Sequence, residues 1–322
     1  MPTTLPTDMK FVDPFTQTGY IERITQVLDK FNGGSANTVV LRTVRKIGDF
    51  SYETFFKNAG GLVSRQDQTS VAPVASKKLV QGTLNDVKLN RKIGPVEWTR
   101  SALLKPGLDM NAIRYAAGVQ AADDVLADML NTGLLAGRAA LGNVADLTMT
   151  VPTAGVLDTM NLAGAMAKLG DNAANIKAWV THSKPFYDLV KAQINPTAHG
   201  DSLAGSVVMG GTPATFGKPV IVTDSPSLVD GTDYFTLGLT TESIVVEETE
   251  DMYLVVSDPI TGLEQLVIRM QGEFAYNLGL KGFAFDVTAG KNPTLAAVGA
   301  GANWIKAFDS IKHLGGVVIK SK

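Results

Sequence analysis

From Met110 to about Leu141, the residues Tyr115, Val119, Ala122, Leu126, Met129 and Gly133 recur at helical spacing and form one continuous apolar stripe. This pattern predicts the longest helix of the chain. Gln120, Asp123, Asp124, Asp128 and Asn131 fall on a different side and give that helix an acidic, solvated face. Pro106-Gly107 precedes it, Asp109 is placed to cap it, and Gly137 and Gly142 are expected to weaken and end it.

Other elements follow from the same kind of reading. A polar arm precedes a short helix over Thr18 to Lys30, where Ile21, Ile24, Val27 and Leu28 share a face and Asn32-Gly33-Gly34 ends it. Such a helix buries little by itself and is expected to lie on a larger body. Residues 37–105 read as a long hairpin of strands, with a solvated tip at SRQDQTSVAPVASKK. Beyond the long helix, helices are predicted over Thr159 to Leu169 and Lys184 to Gln193, the second capped by Ser183. Strands are predicted at Lys177 to Thr181, at GKPVIVTDSP, at YFTLGLTTESIVVEE, MYLVVSD and LEQLVIRMQGEFAYNLGLKGFAF, and at VVIK near the end.

The charges of the chain are segregated. Between Ala36 and Lys105 twelve bases face five acids, whereas between Glu242 and Glu273 eight acids face the single base Arg269. With a net charge of only −2, this layout provides surfaces for binding copies of the same chain in a fixed register, and it argues against a dedicated nucleic-acid binder. Charged residues make up 19% of the chain, below the usual quarter or so, which implies that part of the surface is covered by neighbours.

Chemistry is sparse by comparison. There is no cysteine, so disulfides, thiolate metal sites and cysteine nucleophiles are excluded. His182, His199 and His313 stand far apart without companion ligands at metal spacing and read as structural or surface residues. No HExxH, GxSxG or phosphate-loop motif is present, and the glycine pairs read as turns. Neither a cofactor nor a metal is expected. No apolar run approaches a membrane span, and the expected origin is soluble and intracellular.

Three phrases carry a resemblance: AWVTHSKPFYDL at 178–189, FGKPVIVTDSPSL at 216–228 and KNPTLAAVGAGANWIKAFDSIKHLGGVVIKSK at 291–322. Together with the element order, they make the chain resemble the major capsid proteins of tailed bacteriophages, with the Hong Kong 97-type fold. The fold class this implies is α+β, with an N-terminal arm at 1–35 and an extended β-hairpin loop at 36–105. A peripheral domain would comprise 106–142, with the long spine helix, and 240–285. An axial domain would comprise 143–239 and 286–322.

The resemblance implies a shell protein that assembles with itself into hexamers and pentamers around double-stranded DNA. It would be made in the bacterial host cytoplasm and end in the virion. A portal, decoration proteins, and a separate scaffold or none complete the implied partners. Arg42, Arg45, Arg91 or Lys92 is then expected to meet Glu247, Glu248, Glu250 or Glu264 of a neighbouring subunit. Asp123, Asp124 and Asp128 would line the interior, where negative charge keeps DNA from sticking. Lys57-Asn58 invites the Lys to Asn isopeptide bond of some relatives, which needs a desolvated lysine beside a carboxylate; the expectation is no crosslink. Two alternatives stay open: an encapsulin-like compartment enclosing a cargo enzyme, and an α/β enzyme binding a small molecule.

Overall fold

The computed structural model describes residues 14–43, 48–57, 60–66, 68–69, 71, 73–99, 101, 110–152, 155–194, 215–260, 262 and 264–322. In chain order the elements are α1 (Pro14–Gly34), β1 (Val39–Thr43), β2 (Phe50–Phe56), β3 (Gln81–Thr99), α2 (Met110–Gly142), β4 (Thr148–Thr150), α3 (Thr159–Lys168), β5 (Ile176–Thr181) and α4 (Ser183–Ile194). They continue with β6 (Val220–Val222), β7 (Val229–Asp230), β8 (Asp233–Thr240), β9 (Ile244–Ile260), β10 (Val267–Leu280), β11 (Phe283–Phe285), α5 (Leu295–Val298), β12 (Trp304–Lys306) and β13 (Gly316–Ser321). Two sheets result. The first runs β1-β9-β10-β11-β12, with β3 also on β10 and β2 on β3. The second runs β4-β13-β8-β5-β6, with β7 on β8.

Helix α2 is the element both sheets share. Its second half is buried on nearly every side, through Thr132, Leu134, Ala136, Ala140 and Leu141. Toward the first sheet it comes unusually close: a β-carbon at Gly137 would lie 2.8 Å from Ile244 Cδ1, and one at Gly133 would lie 3.0 Å from Ile244 Cγ2. Toward the second sheet, Arg138 donates to the carbonyls of Ser227 and Val229, each at 3.0 Å, and its guanidinium lies 4.6 Å from the Phe235 ring centre. Ser227 Oγ donates to the Asn131 carbonyl at 2.7 Å. One apolar core therefore runs from Tyr20 and Ile24 of α1, through α2, to Val317, Val318 and Ile319 of β13.

The structure corrects several expectations. Residues 37–105 are not one hairpin, because β1 pairs in parallel with β9, Val39 opposite Ile244 through Thr43 opposite Glu248. Alternation along a strand shows which face is buried and says nothing of a partner two hundred residues away. The ladder between β2 and β3 spans only Phe50–Val87 to Phe56–Gln81, after which β3 continues along β10 as far as Thr99. The expected strand YFTLGLTTESIVVEE divides between β8, in the second sheet, and the start of β9, in the first, and β9 continues through the expected strand MYLVVSD to Ile260 over 17 residues. Only Val220–Val222 of GKPVIVTDSP is strand, at the end of its sheet and half-buried rather than buried. Gly137 does not loosen α2, which continues to Gly142; it makes room for Ile244. The Asp109 cap lies outside the described residues.

Gly137→Val should therefore destabilise the unassembled subunit by about 1–3 kcal/mol through overpacking. Gly142→Ala, where a β-carbon meets nothing within 4 Å, should be neutral or stabilising by up to about 1 kcal/mol. Denaturant unfolding of the two variants checks both values.

Candidate functional site

The basic and acidic segments meet first inside a single chain. Arg42 lies opposite Glu247 in the β1–β9 ladder, and its Nε donates to Glu247 Oε1 at 2.7 Å. Glu247 is only 2% exposed, so its carboxylate is held by this chain rather than offered to another. Lys92 lies opposite Glu273, and Glu97 opposite Arg269, in the β3–β10 ladder. Arg269 Nε donates to Glu97 Oε1 at 2.6 Å. Of the remaining residues expected at a subunit contact, Lys92 and Glu264 are exposed. Arg45 and the side chain of Glu250 lie outside the described residues.

The acidic face of α2 is only partly open to solvent. Arg23 of α1 donates to Asp123 at 2.7 Å, and Tyr115 of α2 donates to Glu22 of α1 at 2.9 Å, so α1 is tied along α2 by polar bonds as well as by Tyr20 and Ile24. Asp128 accepts from Tyr276 at 2.8 Å and from Arg91 Nε at 3.1 Å, joining α2 to β10 and β3. Burial first, and the adjacent Asp128 carboxylate second, push the Tyr276 hydroxyl well above its ordinary range, so it stays a donor. Asp124 is exposed. Spacing placed these acids on one face but could not reveal that α1 reaches Asp123 and β3 reaches Asp128.

Beyond Phe56 the chain leaves the sheet. Lys57 N donates to the Val80 carbonyl at 2.8 Å, and the Lys77 ammonium reaches the carbonyls of Gly60 and Gly61, which ties the two arms of the loop together. Its aliphatic side chains find no cover: Leu62 is 72% exposed, Val63 94% and Val74 88%. Under the base of this hairpin lies a cleft of about 930 Å³ lined by Phe55, Phe56, Leu84, Phe308 and His313. Arg42, Val245 and Glu247 also line it. Asn58 lies outside the described residues, so the Lys57-Asn58 pair finds no structural reading.

The model of the Gp13-like family, described as major capsid protein 13-like, matches residues 8–318. The chain belongs to that family. It is thus a structural protein of the phage head shell, which assembles from many copies of its major capsid protein. No curated protein matches the sequence significantly. Among solved structures, that of Microbacterium phage Oxtober96 superposes with a TM-score of 0.54 at 13% identity, covering 89% of this chain and 90% of that one. The capsid of Ralstonia phage GP4 gives 0.51 at 10% identity, with 88% and 87% covered, and Mycobacterium phage Adephagia gives 0.51 at 12%, with 88% and 87%. The capsid protein therefore has the mixed helix-and-sheet fold of the Hong Kong 97 type.

The two described histidines of the capsid protein each pack on an aromatic ring. His182 packs on Tyr234 with ring centres 5.2 Å apart and sits 3.6 Å from Asp224, while His313 packs on Phe308 at 6.0 Å. His199 lies outside the described residues. Among the described residues no group of three or more His, Asp or Glu side chains is placed to hold a metal ion, and no helix is long and apolar enough to cross a membrane.

Removing the guanidinium from the buried Glu247 should be costly. Arg42→Ala is expected to destabilise the subunit by about 1–3 kcal/mol, and adding Glu247→Gln should recover much of that; a double-mutant cycle by denaturant unfolding measures it. Glu248 shows the opposite sign. Burial raises its titration above the ordinary glutamate range, an effect that the bond from Tyr20, 3.4 Å away, reduces. The folded state then binds this proton more readily than the unfolded one, so the penalty is present at pH 7 and fades as the pH falls through the raised titration. Glu248→Gln should stabilise the subunit at pH 7, with a gain that shrinks toward acid pH in paired melts.

Proposed function

We propose that this capsid protein builds an icosahedral shell of hexamers and pentamers around double-stranded DNA, and that the loop between β2 and β3 contacts a second copy. The observation that carries this reading is the uncovered run of Leu62, Val63, Val71 and Val74. Each such side chain contributes about 1.5–3 kcal/mol when fully buried, whereas an exposed ion pair contributes about 0–1 kcal/mol. Apolar cover from a neighbour supplies the energy, and charges such as Lys92 and Glu264 fix orientation.

In this reading residues 1–35 are the arm, 36–105 the extended loop, 106–142 and 240–285 the peripheral domain, and 143–239 with 286–322 the axial domain. The second sheet supports the last assignment, since its strands come from 148–240 and 316–321. Strands β1 and β12 join the first sheet from segments outside the peripheral assignment, so the segments interlock. The protein acts without catalysis, is made in the host cytoplasm and ends in the virion. A portal, decoration proteins and any separate scaffold complete the head. Of the interior acids, Asp124 is the one whose exposure suits a DNA-repelling surface, because Asp123 and Asp128 are held by Arg23 and Arg91.

Purified wild-type protein should form closed particles by electron microscopy. The Val63→Asp/Val74→Asp variant should keep the fold of the subunit, since both side chains are exposed in it, and should fail to close shells. Normal shells from that variant would remove the assigned role of the loop. Asp124→Lys particles should release DNA more slowly than wild type, and unchanged release kinetics would remove the interior role of Asp124.

A further inference from the structure

The hairpin leaves the body at a defined point. Strand β3 is covered by β10 from Val87 to Thr99, but on its other side β2 covers it only as far as Val87. One more main-chain bond follows, from Lys88 N to the Asp49 carbonyl at 3.0 Å. The next contact is of a different kind: the Asn90 amide donates to the side-chain oxygen of Asn292 at 2.9 Å. Beside it, Lys291 Nζ lies 2.8 Å from Asp49 Oδ2. Two consecutive residues of one loop thus hold β3 and the residue that leads into β2, where the hairpin departs from the sheet.

That loop is itself braced. Asp286 accepts from Thr288 through both the backbone amide, at 2.9 Å, and the hydroxyl, at 2.8 Å, while its own amide donates to the Asn303 carbonyl at 2.8 Å. Thr294 caps α5 by accepting from Ala297 at 3.3 Å, and α5 is anchored by the fully buried Val298. Asn292 adopts a left-handed backbone, with φ of 45°. Asparagine tolerates this conformation better than most residues other than glycine and, unlike glycine, brings a hydrogen-bond acceptor. Further along the hairpin, Asn85 donates to the Phe285 carbonyl at 3.4 Å and Phe55 packs on Phe308 with ring centres 4.7 Å apart.

We propose that Asn292, assisted by Lys291, is a positioning residue that fixes the direction in which the hairpin leaves the body, and hence where its loop meets a second copy. The inference rests on the reading that the loop makes that contact. Extended strands bend easily where a ladder ends, and a single side-chain acceptor on the first uncovered amide removes that freedom at the base, where a small rotation displaces the far end most.

The test uses the full chain with Asn292→Gly, which keeps the left-handed backbone and loses the acceptor, and Asn292→Asp, which keeps both. In the unassembled subunit, hydrogen exchange at the Asn90 amide should rise about ten-fold or more in Asn292→Gly while α2 amides stay protected. Asn292→Asp should match wild type. Assembled Asn292→Gly should give particles of mixed size by electron microscopy, and Asn292→Asp should restore uniform ones. Unchanged Asn90 exchange overturns the proposal, and so does faster exchange with uniform particles.

If Asn292→Gly loses protection throughout α2, Lys291→Ala decides in its place, since that side chain is exposed and its loss does not disturb the core. It should speed exchange at Lys88 and broaden particle size, and no change in either overturns the proposal. A failure of the underlying reading shows differently, as normal shells from Val63→Asp/Val74→Asp.

Discussion

The close approach of α2 to β9 is the constraint on which the rest of the structure depends. Gly133 and Gly137 let Ile244 and Val246 of β9 press against the helix backbone, and the opposite side of the same turns carries Asn131 and Arg138 to residues 225–230. A β-branched residue at either glycine would push one sheet away from the axis that the other uses. Because the contact is made by small residues, it is short and leaves little slack. The placement of both sheets follows from one buried helix.

Charge segregation along the chain has a topological origin. Opposite charges meet across ladders: Lys92 lies opposite Glu273 and Glu97 opposite Arg269 on β3 and β10, and β1 brings Arg42 onto Glu247. Cross-strand pairs of this kind contribute roughly 0.2–1 kcal/mol each and specify register more than they stabilise. A slip of one residue would place Arg42 away from a nearly buried carboxylate. That error costs far more than the native pair contributes, so the ion pairs discriminate among pairings while α2 and the apolar faces supply stability.

Much of this was legible in the sequence, for physical reasons that particular residues show. The stripe from Tyr115 to Gly133 announced α2 because one face of a long helix must be apolar, and β5 and β13 were visible as short apolar runs between turns. The expected start of α4 was off by a residue because its cap is remote: the Ser183 amide donates to Asp224 Oδ1 at 3.3 Å, forty-one residues along the chain. The Ser183 side chain first and this amide second, more than His182 nearby, hold the Asp224 carboxyl below its ordinary range. The continuity of β9 through Glu250 and Asp251 was hidden because charges interrupt its apolar pattern, and the ladder with β10 itself shifts register there, passing from Thr249 opposite Ala275 to Leu254 opposite Glu273. The uncovered aliphatics of the loop were passed over for a simpler reason, since valines scattered among polar residues do not look like a surface until their exposure shows that no described part of the same chain covers them.

The hairpin then divides into a base the chain covers for itself and an end it does not. Asn292, Lys291, Phe308 and the Phe285 carbonyl hold the base, whereas from Leu62 to Val74 the aliphatic side chains stand in solvent. In the proposed assembly the loop of one copy lies on the body of the next, a head-to-tail contact. Repetition of such a contact closes into a ring only if the angle at each step is fixed, and otherwise winds into an open filament. A shell built from rings therefore requires what the base of this hairpin provides: a direction set by the covalently connected core, independent of whichever neighbour the far end meets.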